Sequence, residues 1–251
     1  MTERTLEGRV AVITGASKGV GREMAVAFAA DGAKVVVNYG SDRDGAESTV
    51  EAIQRSGGEA LAVKADVSRR QDVEEMLRRT LETFGGVDIL VNNAGLSRDL
   101  PFLELTDEDW DRVIAVNLRG PFLCTQVFGA EMKRRGRGKV INISSGSATR
   151  ARVNAANYCS SKAGVNSLTQ STALELAPEI QVNGIALGFI DSELVRQLFT
   201  PEELERVAAA SPAGRMGRME EINRLALYLA SSDSDFMTGQ TLLLDGGRIL
   251  V

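Results

Sequence analysis

Residues 10–21 read Val10-Ala11-Val12-Ile13-Thr14-Gly15-Ala16-Ser17-Lys18-Gly19-Val20-Gly21, an apolar run followed by a glycine-rich turn. The apolar run predicts a buried strand, and the residues after it predict a helix through Ala30. Glycine permits a tight turn between them and lets the backbone approach a pyrophosphate closely. The helix N-terminus offers free N–H groups and a positive dipole end to that charge. The spacing differs from the usual GxGxxG, and an ordinary βα turn is the alternative, but the strand–turn–helix context favours a dinucleotide site.

The same alternation of short apolar runs and longer helical patterns continues to the C-terminus. Further strands are predicted at Lys34–Val37, Ala60–Val63, Val87–Val91, Lys139–Ile143, Val182–Ala186 and Leu242–Leu244. Helices are predicted at Gly45–Arg55, Asp72–Phe84, Asp107–Arg135 and Asn157–Leu176. This order predicts parallel strands joined by crossover helices that cover both faces of the sheet. We therefore expect an α/β fold: one Rossmann-type, doubly wound domain spanning residues 1–251.

The stretch from Gly188 to Gly217 is the one irregular part of this pattern. It contains a predicted helix at Pro201–Ala209. Long irregular segments in compact domains are often lids over a site, so we expect residues 188–217 to form a mobile substrate cover.

Composition excludes several classes of function. The net charge is −5 without a broad basic stripe, which argues against nucleic acid as a partner. Cys124 and Cys159 form neither a disulfide framework nor a CxxC pair, which fits a reducing compartment. The chain has no histidine, so a zinc site is not expected. The first residues lack a signal-peptide pattern and no apolar stretch looks long enough to span a bilayer, so we expect a cytoplasmic protein with no membrane partner.

Without histidine, proton transfer near neutral pH needs another group. Tyr158 and Lys162 are four residues apart in a predicted helix and therefore lie on one face. The lysine ammonium would favour phenolate and lower the tyrosine pKa from its reference value of about 10. An amphipathic helix with two polar residues at helical spacing is the alternative, and the pair alone does not decide between the two.

The end of the second strand indicates which dinucleotide would bind. NAD sites place an acid there for the ribose 2′-hydroxyl, whereas this chain has Asn38 and no acid before Asp42. Lys18 in the glycine turn is a candidate for contact with a 2′-phosphate, and Arg43 is a second. Each is otherwise a solvated surface cation. Together they favour NADP(H) over NAD(H).

Three motifs occur in order along the chain: Gly15–Gly21, Asn92–Gly95 and Tyr158–Lys162. Further matches are Asp66-Val67, Asn117, Ser145, Gly239-Gln240 and Asp245–Gly247. Any one of these is weak, but the ordered set is specific and covers essentially the whole chain. The sequence resembles the short-chain dehydrogenase/reductase family of the compact TGxxxGxG/YxxxK type.

The resemblance implies four catalytic residues. Tyr158 is the general acid in carbonyl reduction and the base in alcohol oxidation, and Ser145 hydrogen-bonds the substrate oxygen. Lys162 binds the nicotinamide ribose and lowers the Tyr158 pKa, while Asn117 holds a water that connects Lys162 to solvent. The implied cofactor contacts are Gly15, Ser17, Lys18, Gly19, Val20, Gly21, Asp66, Val67, Asn93, Ala94, Gly95, Tyr158, Lys162, Ile190 and Ser192. Ser144 is an alternative to Ser145, but the family spacing to the tyrosine selects Ser145.

One departure concerns the nicotinamide side of the site. The family usually has Pro-Gly after the strand at Val182, and this chain has Leu187-Gly188. Since proline fixes φ, its loss is expected to leave the following loop freer and affects the placement of Ile190 and Ser192.

The substrate class follows from weaker likenesses. Residues 96–99, 106–110 and 214–217 are most like 3-oxoacyl-[acyl-carrier-protein] reductases. The basic run 133–139 could dock an acidic carrier, although a solvated turn is the favoured interpretation and Glu179 weighs against docking. The hypotheses are an NADPH-dependent ketone or 3-oxoacyl reductase, a sugar, polyol or other secondary-alcohol dehydrogenase, and a non-catalytic NADP-binding protein. The resemblance also implies a homotetramer.

Overall fold

The computed structural model describes residues 5–192, 195–196 and 199–251, and in this part of the chain seven strands form one parallel sheet. They are β1 (Val10–Ile13), β2 (Lys34–Tyr39), β3 (Ala60–Lys64), β4 (Ile89–Asn92), β5 (Gly138–Ser145), β6 (Ile180–Leu187) and β7 (Thr241–Leu244). Their order across the sheet is β3-β2-β1-β4-β5-β6-β7. This confirms the predicted fold class, since strand order reverses beside β1 as in doubly wound sheets.

Helices cover both faces of the sheet. They are α1 (Gly19–Ala30), α2 (Arg43–Arg55), α3 (Arg70–Phe84), α4 (Asp107–Ile114), α5 (Gly120–Arg134), α6 (Ala156–Leu176), α7 (Pro201–Ala209) and α8 (Met219–Ala230). Successive residues of β1 point to opposite faces, so Ile13 packs in the same core cluster as Phe28 of α1, and Val12 packs with Phe128 of α5. Two buried cores, one on each face, therefore fix the sheet between its helices.

The strand order places the candidate site. β1 pairs with β2 on one side and with β4 on the other. Crossovers leave β1 and β4 in opposite directions, which opens a crevice outside their carboxyl ends. The glycine turn follows β1 and the segment 93–95 follows β4, so both motifs meet at this crevice.

The predicted helix from Asp107 to Arg135 is interrupted in the structure. It consists of α4, a π-helical turn at Ala115–Arg119, and α5. Proline at position 121 has no N–H to donate to the carbonyl of Asn117, four residues earlier. The ordinary i→i−4 hydrogen-bond ladder of the helix is therefore interrupted at this point. Such π-helical turns often lie at functional sites.

Other element bounds differ by small amounts, and one helix was not predicted. β4 begins at Ile89 rather than Val87, and β5 and β6 each extend further in both directions. Helix α8, at Met219–Ala230, packs on α1 with Ile222 and Ala226 buried. Its sequence carries the required apolar spacing.

The sequence expectation about membrane spans needs a correction. The run Asp107–Arg134 is long and apolar enough by composition to cross a bilayer. In the structure 56% of the most apolar stretch of this run is buried inside the fold. Helix α5 contacts β4, β5 and α6. This helix therefore lies in the core of the domain, and its apolar character is explained by that packing.

Candidate functional site

Tyr158, Lys162 and Ser145 come from two neighbouring elements. Ser145 is the last residue of β5, and Tyr158 lies in the first turn of α6 with Lys162 one turn later. The Lys162 Nζ lies 5.8 Å from the centroid of the Tyr158 ring and donates a hydrogen bond of 2.7 Å to the carbonyl of Ile143. The predicted helix spacing thus places both side chains at the carboxyl edge of the sheet, beside the serine.

The neighbouring Ser144 faces the other way. Its hydroxyl donates to Asn166 Oδ1 on α6 at 2.6 Å and also contacts the carbonyl of Lys162. Alternation along β5 sends Ser145 to the opposite face, where its Oγ accepts from the N–H of Ser147. This geometry favours Ser145 over Ser144 as the substrate-facing hydroxyl.

The phenol of Tyr158 is held in its neutral form. Burial raises the pKa of Tyr158 above its ordinary value, while a hydrogen bond with Ser145 and the positive charge of Arg152 act in the opposite direction. A protonated phenol at neutral pH suits a proton donor.

Burial of the Lys162 ammonium disfavours its charged form. Its side chain is almost fully inaccessible, and burial lowers the pKa of Lys162 to about 8. Because the folded state loses this proton before the unfolded state does, stability rises with pH between the folded value and the reference value of 10.5.

A prediction follows for the lysine. The free energy of unfolding of the native protein should rise relative to that of Lys162→Met by up to about 3 kcal/mol as pH increases from 7 to 10.5. Urea denaturation of both proteins across this range measures the difference. Lys64→Met, which removes an exposed lysine of β3, is the control and should show a much smaller change. A pH-independent difference for Lys162→Met would contradict the assignment.

Asn117 lies in the π-helical turn and is fully buried. Its amide exchanges two hydrogen bonds with the backbone of Leu96, each 2.8 Å, and donates a third to Ser161 Oγ at 3.1 Å. Ser161 in turn donates to the carbonyl of Tyr158. The side chain therefore ties the loop after β4 to α6, and its amide is engaged by these contacts. Pro121 has no N–H to donate to the backbone carbonyl of Asn117.

The loop after β4 is fixed to the glycine turn by buried polar contacts. Thr14 Oγ1 accepts from the backbone N–H groups of Asn93 and Ala94, at 2.9 and 3.0 Å. The Asn93 amide donates to the carbonyls of Thr14 and Gly15. Gly95 lies between the two halves of the site, since a Cβ built there would lie 3.4 Å from Asn117 Oδ1 and 3.7 Å from Lys162 Nζ.

The start of α1 fits a phosphate-bearing cofactor. The helix has no side-chain cap and no acidic residue in its first turn, so its N-terminal N–H groups and dipole are available to an anion. Gly15 and Gly19 have positive φ, which only glycine adopts readily. Ser17 and Val20 line the same turn, and Lys18 at the N-cap position is exposed.

The cations near the end of β2 have different surroundings. Arg43 pairs with Glu47 at 2.6 Å, one turn later on α2. Asp42, the first acid after β2, accepts from the N–H of Gly45 and caps α2. The Asn38 side chain is also engaged within the fold: its Oδ1 accepts from the N–H of Gly15, and its Nδ2 donates to the carbonyls of Val63 and Ala65 at the end of β3. Among the residues that the structure describes, no ion pair joins Lys18 to an acid, so Lys18 is better placed than Arg43 to meet a phosphate.

The predicted adenine contacts lie after β3. Hydrogen bonds from Ser68 hold the pKa of Asp66 below its usual value, although partial burial acts to raise it. Arg112 lies 3.8 Å from this carboxylate. Val67 is buried and packs against Gly120 at the start of α5. Asp66 therefore stays ionised, with its Oδ1 engaged by Ser68.

The segment after β6 is paired despite the missing proline. Ile190 forms a parallel bridge with Gly217, and Asp191 donates its N–H to the Gly217 carbonyl at 2.8 Å. Ser192 Oγ accepts from the N–H of Val195. The predicted cover, residues 188–217, includes α7 as expected, but positions 193–194 and 197–198 lie outside the described residues.

The basic run 133–139 is occupied by contacts within the chain. Its cations meet Glu179 (Lys133), Glu131 (Arg134), the Gly85 carbonyl (Arg135), Asp88 (Arg137) and Asp235 (Lys139). Asp88 is buried and also accepts from the N–H of Val10. These contacts support the interpretation of the run as a structural turn, as the sequence favoured.

Two residues beside Tyr158 were missed by the sequence reasoning. The Arg152 guanidinium lies 5.3 Å from the Tyr158 ring centroid and pairs with Asp99. They belong to the loops after β5 and β4. Asp99 lies in the stretch 96–99 that resembles 3-oxoacyl reductases, but nothing in the sequence indicates that it pairs with Arg152.

No group of three or more acidic or cysteine side chains in the described ranges is arranged to hold a metal ion. The site is therefore built from hydroxyl, phenol, ammonium and amide groups.

Comparisons with known proteins agree over almost the whole chain. A family model described as enoyl-(acyl carrier protein) reductase matches residues 15–248. The 3-oxoacyl-[acyl-carrier-protein] reductase of Synechocystis sp. is 39% identical over 247 residues, which cover 98% of each chain. The 3beta-hydroxysteroid dehydrogenase 1 of Eggerthella lenta is 42% identical over 248 residues, covering 98% of this chain and 95% of the relative.

A solved structure extends the comparison to a bound dinucleotide. The gluconate 5-dehydrogenase of Burkholderia cenocepacia, in complex with NADP and tartrate, has a TM-score of 0.92 and 35% identity, covering 99% of this chain and 98% of that one. The similar proteins thus share a fold and an oxidoreductase class while their named substrates differ.

Proposed function

The chain belongs to the short-chain dehydrogenase/reductase family and is an oxidoreductase, and from this premise we propose that it uses NADPH to reduce a ketone to a secondary alcohol. A 3-oxoacyl thioester or related carbonyl is the proposed substrate. The observation that carries the proposal is the buried, neutral phenol of Tyr158, which lies beside Ser145 and Lys162 at the crevice edge. A proton donor, a second hydroxyl and a cation thus meet where the glycine turn would place the dinucleotide.

The proposed mechanism uses the residues in distinct roles. When bound, a nicotinamide cofactor would supply hydride chemistry at the substrate carbonyl carbon, and negative charge would then develop on the substrate oxygen. Ser145 donates a hydrogen bond to that oxygen, and Tyr158 donates both a hydrogen bond and its proton. Lys162 binds the ribose hydroxyls and stabilises the resulting phenolate. Alcohol oxidation runs the same steps backwards, with the phenolate as base.

Reprotonation of Tyr158 needs a path to solvent. Lys162 can donate a proton because burial lowers its pKa to about 8, close to the physiological range. We place a relay water between Lys162 and the Asn117 backbone carbonyl, with Gly95 providing the space. The Asn117 side chain holds this arrangement in position through Leu96 and Ser161.

We propose that the cofactor contacts expected from the sequence together hold the dinucleotide. Gly15, Ser17, Lys18, Gly19, Val20 and Gly21 surround the phosphates, Asp66 and Val67 the adenine, Asn93, Ala94 and Gly95 the adjoining ribose, and Ile190 and Ser192 the carboxamide. The exposed Lys18 favours NADP(H) over NAD(H), and NADP in a similar gluconate dehydrogenase supports that choice.

Lys18→Ala is expected to weaken NADPH binding about tenfold while NADH binding changes little, because only NADPH carries the 2′-phosphate that this cation would contact. Fluorescence titration of both cofactors measures the two dissociation constants. Arg43→Ala is the matched control, and since Arg43 is paired with Glu47 its effect should be smaller. Equal losses for the two cofactors in Lys18→Ala would overturn the 2′-phosphate contact.

Consumption of NADPH with an acetoacetyl thioester tests the reaction directly. Turnover of the free thioester supports the 3-oxoacyl assignment. Turnover only of sugar acids, polyols or steroids supports the second candidate, a secondary-alcohol dehydrogenase, which the hydroxysteroid and gluconate dehydrogenase relatives favour. The internal pairing of the basic run also favours a substrate free of a carrier protein. Tight NADPH binding without turnover of any panel member would instead indicate a non-catalytic binding protein.

We also propose a cytoplasmic homotetramer. Trp110, Phe122 and Leu174 are exposed on α4, α5 and α6, and Leu243 and Leu250 are exposed near the C-terminus. Exposed apolar side chains in these two parts of the fold would suit two kinds of subunit contact. Light scattering coupled to gel filtration measures the assembly, and a monomer would contradict this proposal.

A further inference from the structure

Two loops meet at the phenol of Tyr158 through a bidentate ion pair. Arg152, in the loop after β5, donates through both terminal nitrogens to the carboxylate of Asp99 in the loop after β4. Its Nη2 also donates to Ser97 Oγ at 3.1 Å, and Ser97 in turn donates to Asp99. A second link, from the Leu100 N–H to the Asn154 carbonyl at 2.8 Å, holds the same two loops together. A planar guanidinium bound at several points has a fixed direction.

That direction places the guanidinium over the catalytic ring. The Arg152 Cζ lies 5.3 Å from the Tyr158 ring centroid, slightly closer than the Lys162 Nζ at 5.8 Å. The Lys162 Nζ donates to the carbonyl of Ile143 in β5, whereas Arg152 lies in the loop after β5. Tyr158 thus has a cation from its own helix and a second from the loops.

The remaining groups that influence the phenol can be named. Among the described residues, Ser145 hydrogen-bonds it, Arg152 lowers its pKa, and Cys159 and Asp99 act to raise it. The ionised state of Asp99 is secure, since hydrogen bonds from Arg152 and Ser97 hold the pKa of Asp99 below its usual value despite partial burial. The ion pair therefore presents a positive end to the phenol with a negative counter-charge behind it.

We propose that Arg152 is a positioning residue whose guanidinium, held by Asp99 and Ser97, stabilises the negative charge that forms on the Tyr158 oxygen when its proton is transferred. Asp99 has two opposing effects: it orients Arg152 and partly neutralises it. The inference rests on the proposed role of Tyr158 in catalysis, but its physical content, the charge environment of one phenol, is measurable without a substrate.

The test is a pH titration of protein labelled with [¹³Cζ]tyrosine, observed by NMR. The chain has three tyrosines, and the signal that disappears in Tyr158→Phe identifies the catalytic one. Arg152→Ala should move the midpoint of the Tyr158 signal upward by about one unit, because a nearby cation is lost. Asp99→Asn should move it downward by about half a unit, since the amide oxygen still accepts from Arg152 without the negative charge.

Opposite signs distinguish this role from a structural one. General loosening of the two loops would expose the phenol and shift both variants in the same direction. Arg152→Lys keeps the charge without the fork and should give a smaller upward shift than Arg152→Ala. Arg150→Ala is the matched control, because that guanidinium donates to the Arg248 carbonyl instead, and the Tyr158 midpoint should stay unchanged.

Shifts of the same sign in Arg152→Ala and Asp99→Asn, or no shift in Arg152→Ala, would overturn the inference. Activity gives an independent readout: for a substrate that is turned over, Arg152→Ala should move the Tyr158-dependent limb of the kcat profile for alcohol oxidation upward by the same amount. If the NMR shifts have the expected signs but no substrate is turned over, the proposed function fails while the charge environment stands.

Discussion

Tyr158→Phe is expected to reduce turnover by about 10²–10⁴-fold, the usual contribution of a positioned general acid. The substitution removes one oxygen and leaves the ring, so packing against α6 and the contacts of Arg152 and Lys162 with the ring are preserved. Ser145 alone would then face the developing oxyanion, and no group would deliver the proton. Steady-state kinetics with NADPH and the substrate found by the panel measure the loss.

The cofactor site should be almost unaffected by the same change. The dissociation constant for NADPH is expected to stay within about threefold of the native value, because the glycine turn and Lys18 are untouched. Tyr228→Phe is the control, since it removes the hydroxyl of a half-exposed tyrosine on α8 and should leave turnover unchanged. Retained turnover in Tyr158→Phe would refute the mechanism, and loss of NADPH binding would show that the variant damages more than proton transfer.

Much of the fold follows from local patterns. Each predicted strand is present, because mostly apolar runs of three to five residues have few alternatives once helices flank them. The right-handed crossovers of parallel strands limit the possible strand orders, although the order itself is known only from the structure. The helical spacing of Tyr158 and Lys162, and the alternation that separates Ser144 from Ser145, are local properties and could be predicted with equal success.

The missing parts depend on contacts between distant segments. The apolar pattern of α4 and α5 is continuous, so periodicity does not reveal the π-helical turn at Ala115–Arg119. The chemical cause, Pro121 four residues after Asn117, was present in the sequence but is tolerated in helices near their start. The Arg152–Asp99 pair is less predictable still, because its partners are 53 residues apart and meet only when β4 and β5 bring their loops together.

Electrostatics shows the same limit. From the sequence, Lys162 was expected to lower the Tyr158 pKa, which assumes a charged, adjacent ammonium. In the fold, burial raises the pKa of Tyr158 and lowers that of Lys162, and the lysine is directed to the Ile143 carbonyl. Desolvation depends on everything packed around a group, so a helical spacing of four residues does not determine its sign.

Gly21→Ala is expected to destabilise the protein by about 1–3 kcal/mol, the usual cost of forcing atoms into a filled space. A Cβ at this position would lie 2.4 Å from Asn93 Nδ2 and 2.5 Å from the carbonyl of Gly15. Neither neighbour can move freely, because Asn93 is bonded to the carbonyls of Thr14 and Gly15. The clash would therefore separate the glycine turn from the loop after β4.

The sign of this effect makes the prediction decisive. Gly21 lies inside α1, where alanine would ordinarily stabilise a helix by up to about 1 kcal/mol relative to glycine. Gly129→Ala is the matched control: it is also buried within a helix, but its nearest contact would be Leu176 at an ordinary 3.7 Å. Urea denaturation should thus show destabilisation for Gly21→Ala and no loss, or a gain, for Gly129→Ala.

NADPH affinity should also differ between Gly21→Ala and Gly129→Ala. Displacement of the turn redirects the backbone N–H groups that we assign to the pyrophosphate, and one charge-assisted hydrogen bond contributes about 1.5–3 kcal/mol. NADPH affinity of Gly21→Ala is therefore expected to fall by about 10–100-fold, and that of Gly129→Ala to remain native. Native affinity in a folded Gly21→Ala protein would mean that this turn does not hold the phosphates. Lower stability together with lower NADPH affinity would show that the residues that close the fold beside β1 are also the ones that bind the dinucleotide, because α1 begins where the turn ends.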